Sequence, residues 1–208
     1  MRESMGLPPS LPIVRLNPTL SARRLELTRI AAHLFAERGY QGTSLADLAE
    51  ALGVHKPSLY HHIESKEDLL WEIAWDGAEA FHAGLDGVPA GPATERIRNA
   101  FRAHLAVVGG QLDIATVFTR EWRHLTGARR EQFLAERRRY EERIRDLFRE
   151  GVERSELRTD LDVATAGLLF LSAANWAYTW LRPGSNTDEL ADRLFAALLD
   201  GMRGYATP

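Results

Sequence analysis

The chain has 208 residues, 45% hydrophobic and 26% charged, which is the make-up of a globular protein with one large domain or two small ones. It has no cysteine, which excludes disulfides and thiolate metal sites and fits a cytoplasmic protein. A net charge of -3 excludes a polycation that holds nucleic acid by bulk charge, so DNA binding would have to rest on where the basic groups sit.

Residues 1–18 carry Pro8, Pro9, Pro12 and Pro18 without an apolar period, and read as a disordered arm with no signal peptide. Arg15 in that arm is a candidate for reaching DNA, against the simpler reading of a mobile tail. A first helix is expected over 21–38, with Leu27, Ile30, Ala31, Leu34 and Phe35 on one stripe. Gly39 stops it, and Tyr40 can pack back on the stripe.

The stretch 43–70, TSLADLAEALGVHKPSLYHHIESKEDLL, is the centre of the chain. Leu45, Leu48, Ala49 and Leu52 follow a helical period, and Ser44 with Asp47 makes a capping box. Gly53 can end that helix with positive φ. Pro57 suits the first turn of a second, short helix, which exposes Lys56, Ser58, Tyr60 and His61. Two helices joined by a tight glycine turn form a helix-turn-helix, whose second helix enters a DNA major groove. Lys56 and Lys66 are the only lysines in the chain, and both fall in this stretch. His55, His61, His62 and Glu64 can imitate a metal cluster, but a groove contact explains the imidazoles better.

Ser65 caps a fourth helix running to about 85, long enough to join a head to a second domain. Residues 86–92, DGVPAGP, read as a linker. Helices follow over 94–108, ended by Gly109 and Gly110, over 112–125, and over 131–154. In the last of these, Arg137, Arg138 and Arg139 alternate with glutamates as a solvated face. The uncharged run 163–181 reads as a buried helix and not a membrane span. Thr187 is expected to cap a final helix. No strand pattern or repeat appears, so the fold class is all-α. No nucleophile–base arrangement, glycine-rich phosphate loop or zinc motif is present, so neither an enzyme nor a cofactor is expected.

Ala31, Leu34, Phe35, Gly39, Tyr40, Thr43, Ser44, Leu48, Ala49, Gly53, Val54, Ser58, Tyr60, His62, Ile63, Ser65, Lys66, Glu67 and Leu69 stand at fixed spacings over about one-fifth of the chain. In this the segment resembles the DNA-binding domain of TetR-family transcription regulators. It departs mildly: Leu48 and Ile63 replace Ile and Phe, and His55 stands where Ser or Thr is common. The resemblance implies about nine helices, a helix-turn-helix DNA-binding domain at 19–70, and an effector-binding and dimerisation domain at 71–208. It implies a homodimer through the last two helices, on a palindromic double-stranded DNA operator.

Further on, Glu121-Trp122-Arg123, the segment Asn175-Trp176-Ala177-Tyr178-Thr179-Trp180-Leu181-Arg182-Pro183, and Asp188-Glu189-Leu190-Ala191 resemble the TetR regulators of fatty-acid or steroid catabolism that sense acyl-CoA. Leu181 replaces that subgroup's usual Tyr. On this reading the chain is a repressor released by an acyl-CoA thioester; the alternative is release by another hydrophobic molecule, such as a drug or antibiotic. Thr43, Ser44, Tyr60 and Lys66 are expected at phosphates, and His55, Lys56, Pro57, Ser58 and His61 at the bases or beside them. Arg120, Trp122, Arg123, Trp176, Tyr178, Trp180 and Arg182 are the expected effector contacts.

Overall fold

A computed structural model describes residues 21–182 and 184–200, so the expected arm at 1–18 lies outside the described residues. Those residues form nine α-helices and two short 3-10 turns, with no strand among them. Helices α1 (Ala22–Arg38), α2 (Leu45–Leu52) and α3 (Lys56–Leu59) make the head. Helix α4 (Lys66–Asp86) continues from it. Then come α5 (Ala93–Gly110), α6 (Leu112–Arg120) and a 3-10 turn, Glu121–His124. Helix α7 (Gly127–Glu153), α8 (Val163–Asn175), a second 3-10 turn (Trp176–Thr179) and α9 (Thr187–Asp200) complete the chain.

The head folds where its sequence says. Ser44 Oγ accepts the Asp47 N–H at 3.1 Å, and Asp47 accepts the Ser44 N–H at 2.7 Å, closing the box that starts α2. Gly53 ends α2 at φ 72° and ψ 33°, a left-handed conformation that a β-carbon disfavours. The same box recurs at Ser65 and Asp68, where α4 begins. Leu27, Phe35, Leu48, Leu59 and Leu69, all fully buried, join α1 to α4 in one core.

Helix α4 packs on α1 and on α5, α6 and α7, so it belongs to both halves of the molecule. Its Gly77 permits a tight crossing: a β-carbon there would lie 3.1 Å from the Phe118 ring of α6. Most of the α4 surface is covered, from Leu69 to Leu85. Burying a Phe or Leu side chain contributes about 1.5–3 kcal/mol; Phe81 of this helix meets Phe118, which meets Phe133, while Phe101, Phe148 and Phe170 pack together further along the interior.

Several boundaries differ from the sequence expectation. Gly109 and Gly110 do not break α5, which continues through both to Gln111. Gly109 serves packing instead, since a β-carbon there would lie 2.6 Å from Thr187 Cγ2 at the start of α9. Thr187 is the first residue of α9, and the Asn186 side chain accepts the Glu189 N–H at 3.2 Å in the capping role. Helix α7 starts at Gly127, and the 163–181 run is helix to Asn175 followed by a 3-10 turn. No helix among the described residues is long and apolar enough to cross a membrane.

Candidate functional site

Two arginines of α1 hold the helix-turn-helix in place, and the sequence reading missed both. Arg23 donates to the Leu52 carbonyl at 2.8 Å, satisfying the last turn of α2. Arg24 is 8% exposed and donates to the His62 carbonyl just past α3. Its guanidinium also forks onto Glu72 of α4, with Nη2–Oε1 at 2.5 Å and Nε–Oε2 at 3.1 Å. Thr28 Oγ1 donates to the same carboxylate at 3.1 Å. Arg24 thus fixes the end of the recognition segment relative to α4. A lone Arg in an amphipathic helix gives no sign of such a partner 48 residues away.

Of the nine residues expected at DNA, Ser44, His55, Lys56, Pro57, Tyr60 and His61 are exposed, while Ser58 is half-buried. Tyr60 is 54% exposed at the end of α3, and Leu59 beneath it is fully buried, so one side of the segment anchors and the other is presented. His55 precedes α3 without a side-chain capping bond. Two expectations need correction. The Thr43 side chain is fully buried and donates to the carbonyls of Leu34 and Gly39 at 3.2 and 3.0 Å, so it ties α2 to the end of α1 and cannot reach a phosphate. Lys66 Nζ donates to the carbonyls of Tyr40 and Thr43 at 2.7 and 2.8 Å and lies 4.1 Å from the Tyr40 ring centroid. Burial lowers the pKa of this ammonium. It is a brace for the turn between α1 and α2, with two of its three protons already engaged.

The head is fastened to the C-terminal half around the 121–124 turn. Glu121 is 7% exposed and accepts the Tyr40 N–H at 2.9 Å. His124 stacks on the Tyr40 ring at 5.2 Å. Glu67 accepts the Thr126 N–H at 2.8 Å, capping α7 from the first turn of α4. Arg129 of α7 reaches Asp68 at 2.8 Å. Burial raises the Asp68 pKa, but the Ser65 and Glu64 amides and Arg129 outweigh it and lower it overall.

Inside the C-terminal half a small cavity lies among α4, α5, α6, α7 and α8. Phe81, Phe118 and Leu171 are its apolar walls, His104, Tyr140 and Asn175 its polar ones, and half-buried Arg137 and Glu141 carry its charges. Its volume is about 20 Å³, room for one water molecule. His104 Nδ1 lies 2.9 Å from the Tyr140 hydroxyl. Burial drives the His104 pKa down to about 3, with Asn175 opposing, so the ring is neutral. Its Nε2 closes no well-formed hydrogen bond although the Asn175 side chain lies beside it. Burial likewise raises the Tyr140 hydroxyl above its ordinary value.

The seven expected effector contacts are not gathered at this cavity; none of them lines it. They form two separate groups. Trp122 and Arg123 belong to the 121–124 turn and Arg120 precedes it, with Trp122 stacked on Phe133 at 6.0 Å. Trp176, Tyr178, Trp180 and Arg182 follow α8, where Trp176 is 62% and Trp180 41% exposed and Arg182 faces solvent. Leu168 and Leu169 of α8 are also exposed apolar side chains.

Residues 27–73 match the model described as "Bacterial regulatory proteins, tetR family", and residues 90–202, over half of the chain, match "Tetracyclin repressor-like, C-terminal domain". The chain belongs to the TetR family. It is therefore a DNA-binding regulator and not an enzyme, and regulators of this family dimerise. It is 31% identical over 188 residues to the HTH-type transcriptional repressor KstR2 of Rhodococcus jostii, covering 88% of this chain and 92% of that protein. The structure of the ketosteroid transcriptional regulator KstR2 of Mycobacterium tuberculosis matches 92% of the chain and 100% of its own, with TM-score 0.85 and 24% identity, a likeness of fold. The structure of AibR in complex with isovaleryl coenzyme A and operator DNA matches 84% of this chain and 97% of its own, with TM-score 0.76 and 28% identity.

Proposed function

We propose that this regulator is a repressor that leaves its palindromic operator when an acyl-CoA thioester enters the C-terminal half. Residues 19–70 would read DNA, and 71–208 would hold the effector and the second protomer. One observation carries the reading: the cavity walls belong to α4, α6 and α7, the start of α4 is tied to the start of α7 through Glu67 and Asp68, and Glu121 after α6 holds the Tyr40 amide of the head. Similarity to the steroid regulator KstR2, and to AibR bound to a coenzyme A thioester and DNA, supports the thioester as effector.

Drug-sized ligands fill pockets of about 300–1,000 Å³, so a cavity of about 20 Å³ must widen to admit an acyl group. Widening moves α7 against α4, and the ligand favours the widened state because only that state binds it. The outer face of α8 with Leu168, Leu169, Trp176 and Trp180, together with α9, is the surface proposed to join two protomers. Effector contacts at Trp176, Tyr178, Trp180 and Arg182 would then be made within the dimer.

The test is a gel shift on the native operator with free CoA, a fatty acid and the matching acyl-CoA. Release by the thioester alone is expected. Release by none of a panel of thioesters, with release by an apolar drug, would replace the acyl-CoA reading with the second hydrophobic-effector reading.

A further inference from the structure

Helix α7 is rich in arginine, and most of those side chains answer a carboxylate. Arg129 meets Asp68, Arg139 meets Glu136, Arg143 meets Asp86, and Arg145, Arg149 and Arg154 meet acids of α7 itself. Arg130 and Arg137, two turns apart on one face, meet none within salt-bridge distance among the described residues, and neither does Arg123 of the adjoining turn. These three converge on one ring instead: their guanidinium carbons lie 6.0, 5.1 and 5.6 Å from the Trp122 centroid. Three cations around one indole repel each other. Burial lowers the pKa of Arg137; Glu141 opposes that, and Arg123 adds to it.

Donors dominate the polar inventory here; the Glu141 carboxylate acts on Arg137 but stays outside salt-bridge distance. The Trp122 indole N–H is buried and makes no hydrogen bond. A guanidinium offers five donors and no acceptor, and an indole N–H only donates. The protein supplies the Arg120 carbonyl, which takes one Arg123 proton at 3.0 Å. What the cluster lacks is an oxygen-rich group with more than one negative charge. Flat guanidinium forks stacked on an aromatic face match phosphoryl oxygens better than a monoanionic carboxylate.

We propose that Arg123, Arg130 and Arg137 around Trp122 form a phosphoryl-binding site. The site adjoins the cavity, because Arg137 lines that cavity and also lies 5.9 Å from the Phe118 ring that walls it. A ligand with an acyl end and a phosphorylated end can span the two. That the phosphoryl group belongs to the effector rests on the function proposed above; the site itself does not. The same cluster would also take free pyrophosphate.

The test uses the full chain, titrated with CoA, with inorganic pyrophosphate, and with pantetheine, which has no phosphate. CoA and pyrophosphate should bind and change the tryptophan fluorescence; pantetheine should not. The Arg130→Gln/Arg137→Gln variant, with unchanged circular dichroism, should weaken both anions by about tenfold or more, as loss of charge-assisted contacts requires. The single Arg123→Gln change, which removes one cation and not two, should weaken them less, and Trp122→Phe should remove the fluorescence change. Equal binding by wild type and double variant, or an undiminished signal from Trp122→Phe, overturns the site. Failure of acyl-CoA to release DNA, with pyrophosphate binding lost in the variant, leaves the site standing and removes the effector reading. Release by acyl-CoA that is equal in wild type and variant, with pyrophosphate binding lost in the variant, keeps the site and overturns its assignment to the effector.

Discussion

Arg24→Met is the most informative single change in the head. The methionine keeps the apolar stem of Arg24 but removes the fork onto Glu72 and the bond to the His62 carbonyl. Breaking one side of a buried ion pair costs about 3–5 kcal/mol, because the partner is left charged and unpaired. The Glu72 side chain is 23% exposed and keeps the Thr28 hydroxyl, so water and one donor soften the loss. About 2–3 kcal/mol is therefore expected, or a fall in Tm of roughly 5–10 °C for a chain of this size. Operator affinity should fall as well, since the end of the recognition segment loses its tie to α4. Thermal unfolding followed by circular dichroism, with operator titrations well below the transition, measures both. The Arg24→Met/Glu72→Leu double variant separates pairing from packing: it should lose less than the sum of the two single changes. A Tm within about 1 °C of wild type and an unchanged operator affinity would refute the role given to this pair.

Lys56→Gln leaves the fold untouched, since Lys56 is exposed, and should lower operator affinity and reduce the salt slope by about one unit if the lysine meets a phosphate. Thr43→Val is expected to do the opposite: it removes a buried donor from two carbonyls, so stability falls by about 1–3 kcal/mol while the salt slope stays the same. Lys66→Met should likewise cost stability, with a change in salt slope well under the unit expected of a phosphate contact. Acid sensitivity follows from His104. Its folded pKa of about 3 lies below the unfolded value near 6.5, so the unfolded chain binds the extra proton between them. Stability is then full above about pH 6.5 and drops by about 1.4 kcal/mol per unit below it, roughly 2 kcal/mol by pH 5. His82, whose pKa burial also lowers, adds to the same window. His104→Gln should flatten the profile between pH 6.5 and 5 in denaturant titrations, and an unchanged slope would contradict a neutral buried ring.

Local signals carried the head. A capping box, a left-handed glycine and an apolar period act over a few residues, so α1 to α4 were legible at nearly their observed ends. The all-α class was legible for the same reason. What sequence could not show was which polar side chains turn inward. Thr43 and Lys66 sit at surface-like positions of a polar stretch, yet both are consumed by carbonyls of the preceding turn. Arg24 looks like any solvated arginine until Glu72 is brought to it. The cavity was illegible because its walls come from five helices: Phe81, His104, Phe118, Tyr140 and Leu171 share no local period. Arg137 shows the limit best. Its neighbour Arg139 pairs with Glu136 as a solvated charge pattern predicts, while Arg137 lies over Phe118 and Trp122.

If the C-terminal half moves as proposed, the junction between the halves is what would carry that movement to the head. Helix α4 begins with a capping box whose acid, Asp68, is shared with Arg129 of α7, and the neighbouring Glu67 caps α7 itself. The first turns of α4 and α7 are therefore one hydrogen-bonded unit. Glu121 adds a second link, since it holds the Tyr40 amide while Lys66 of α4 holds the Tyr40 carbonyl. Tyr40 is gripped from the effector half on one side and from α4 on the other. A displacement of α7 against α4 cannot be absorbed at a loose hinge here without breaking charge-assisted bonds. Under the proposed widening, those bonds are kept when the head turns with α7. Two heads on a palindrome must keep a fixed spacing, so a turn of each head in opposite senses about a dimer axis changes that spacing twice over. Glu67→Gln weakens the α7 cap without touching the DNA-facing side, and it should uncouple effector binding from operator release while leaving each binding step nearly intact. Titrations of operator with and without effector measure that coupling directly; a coupling equal to wild type would show that the signal does not pass through the Glu67 cap, leaving the Asp68–Arg129 and Glu121–Tyr40 links to carry it.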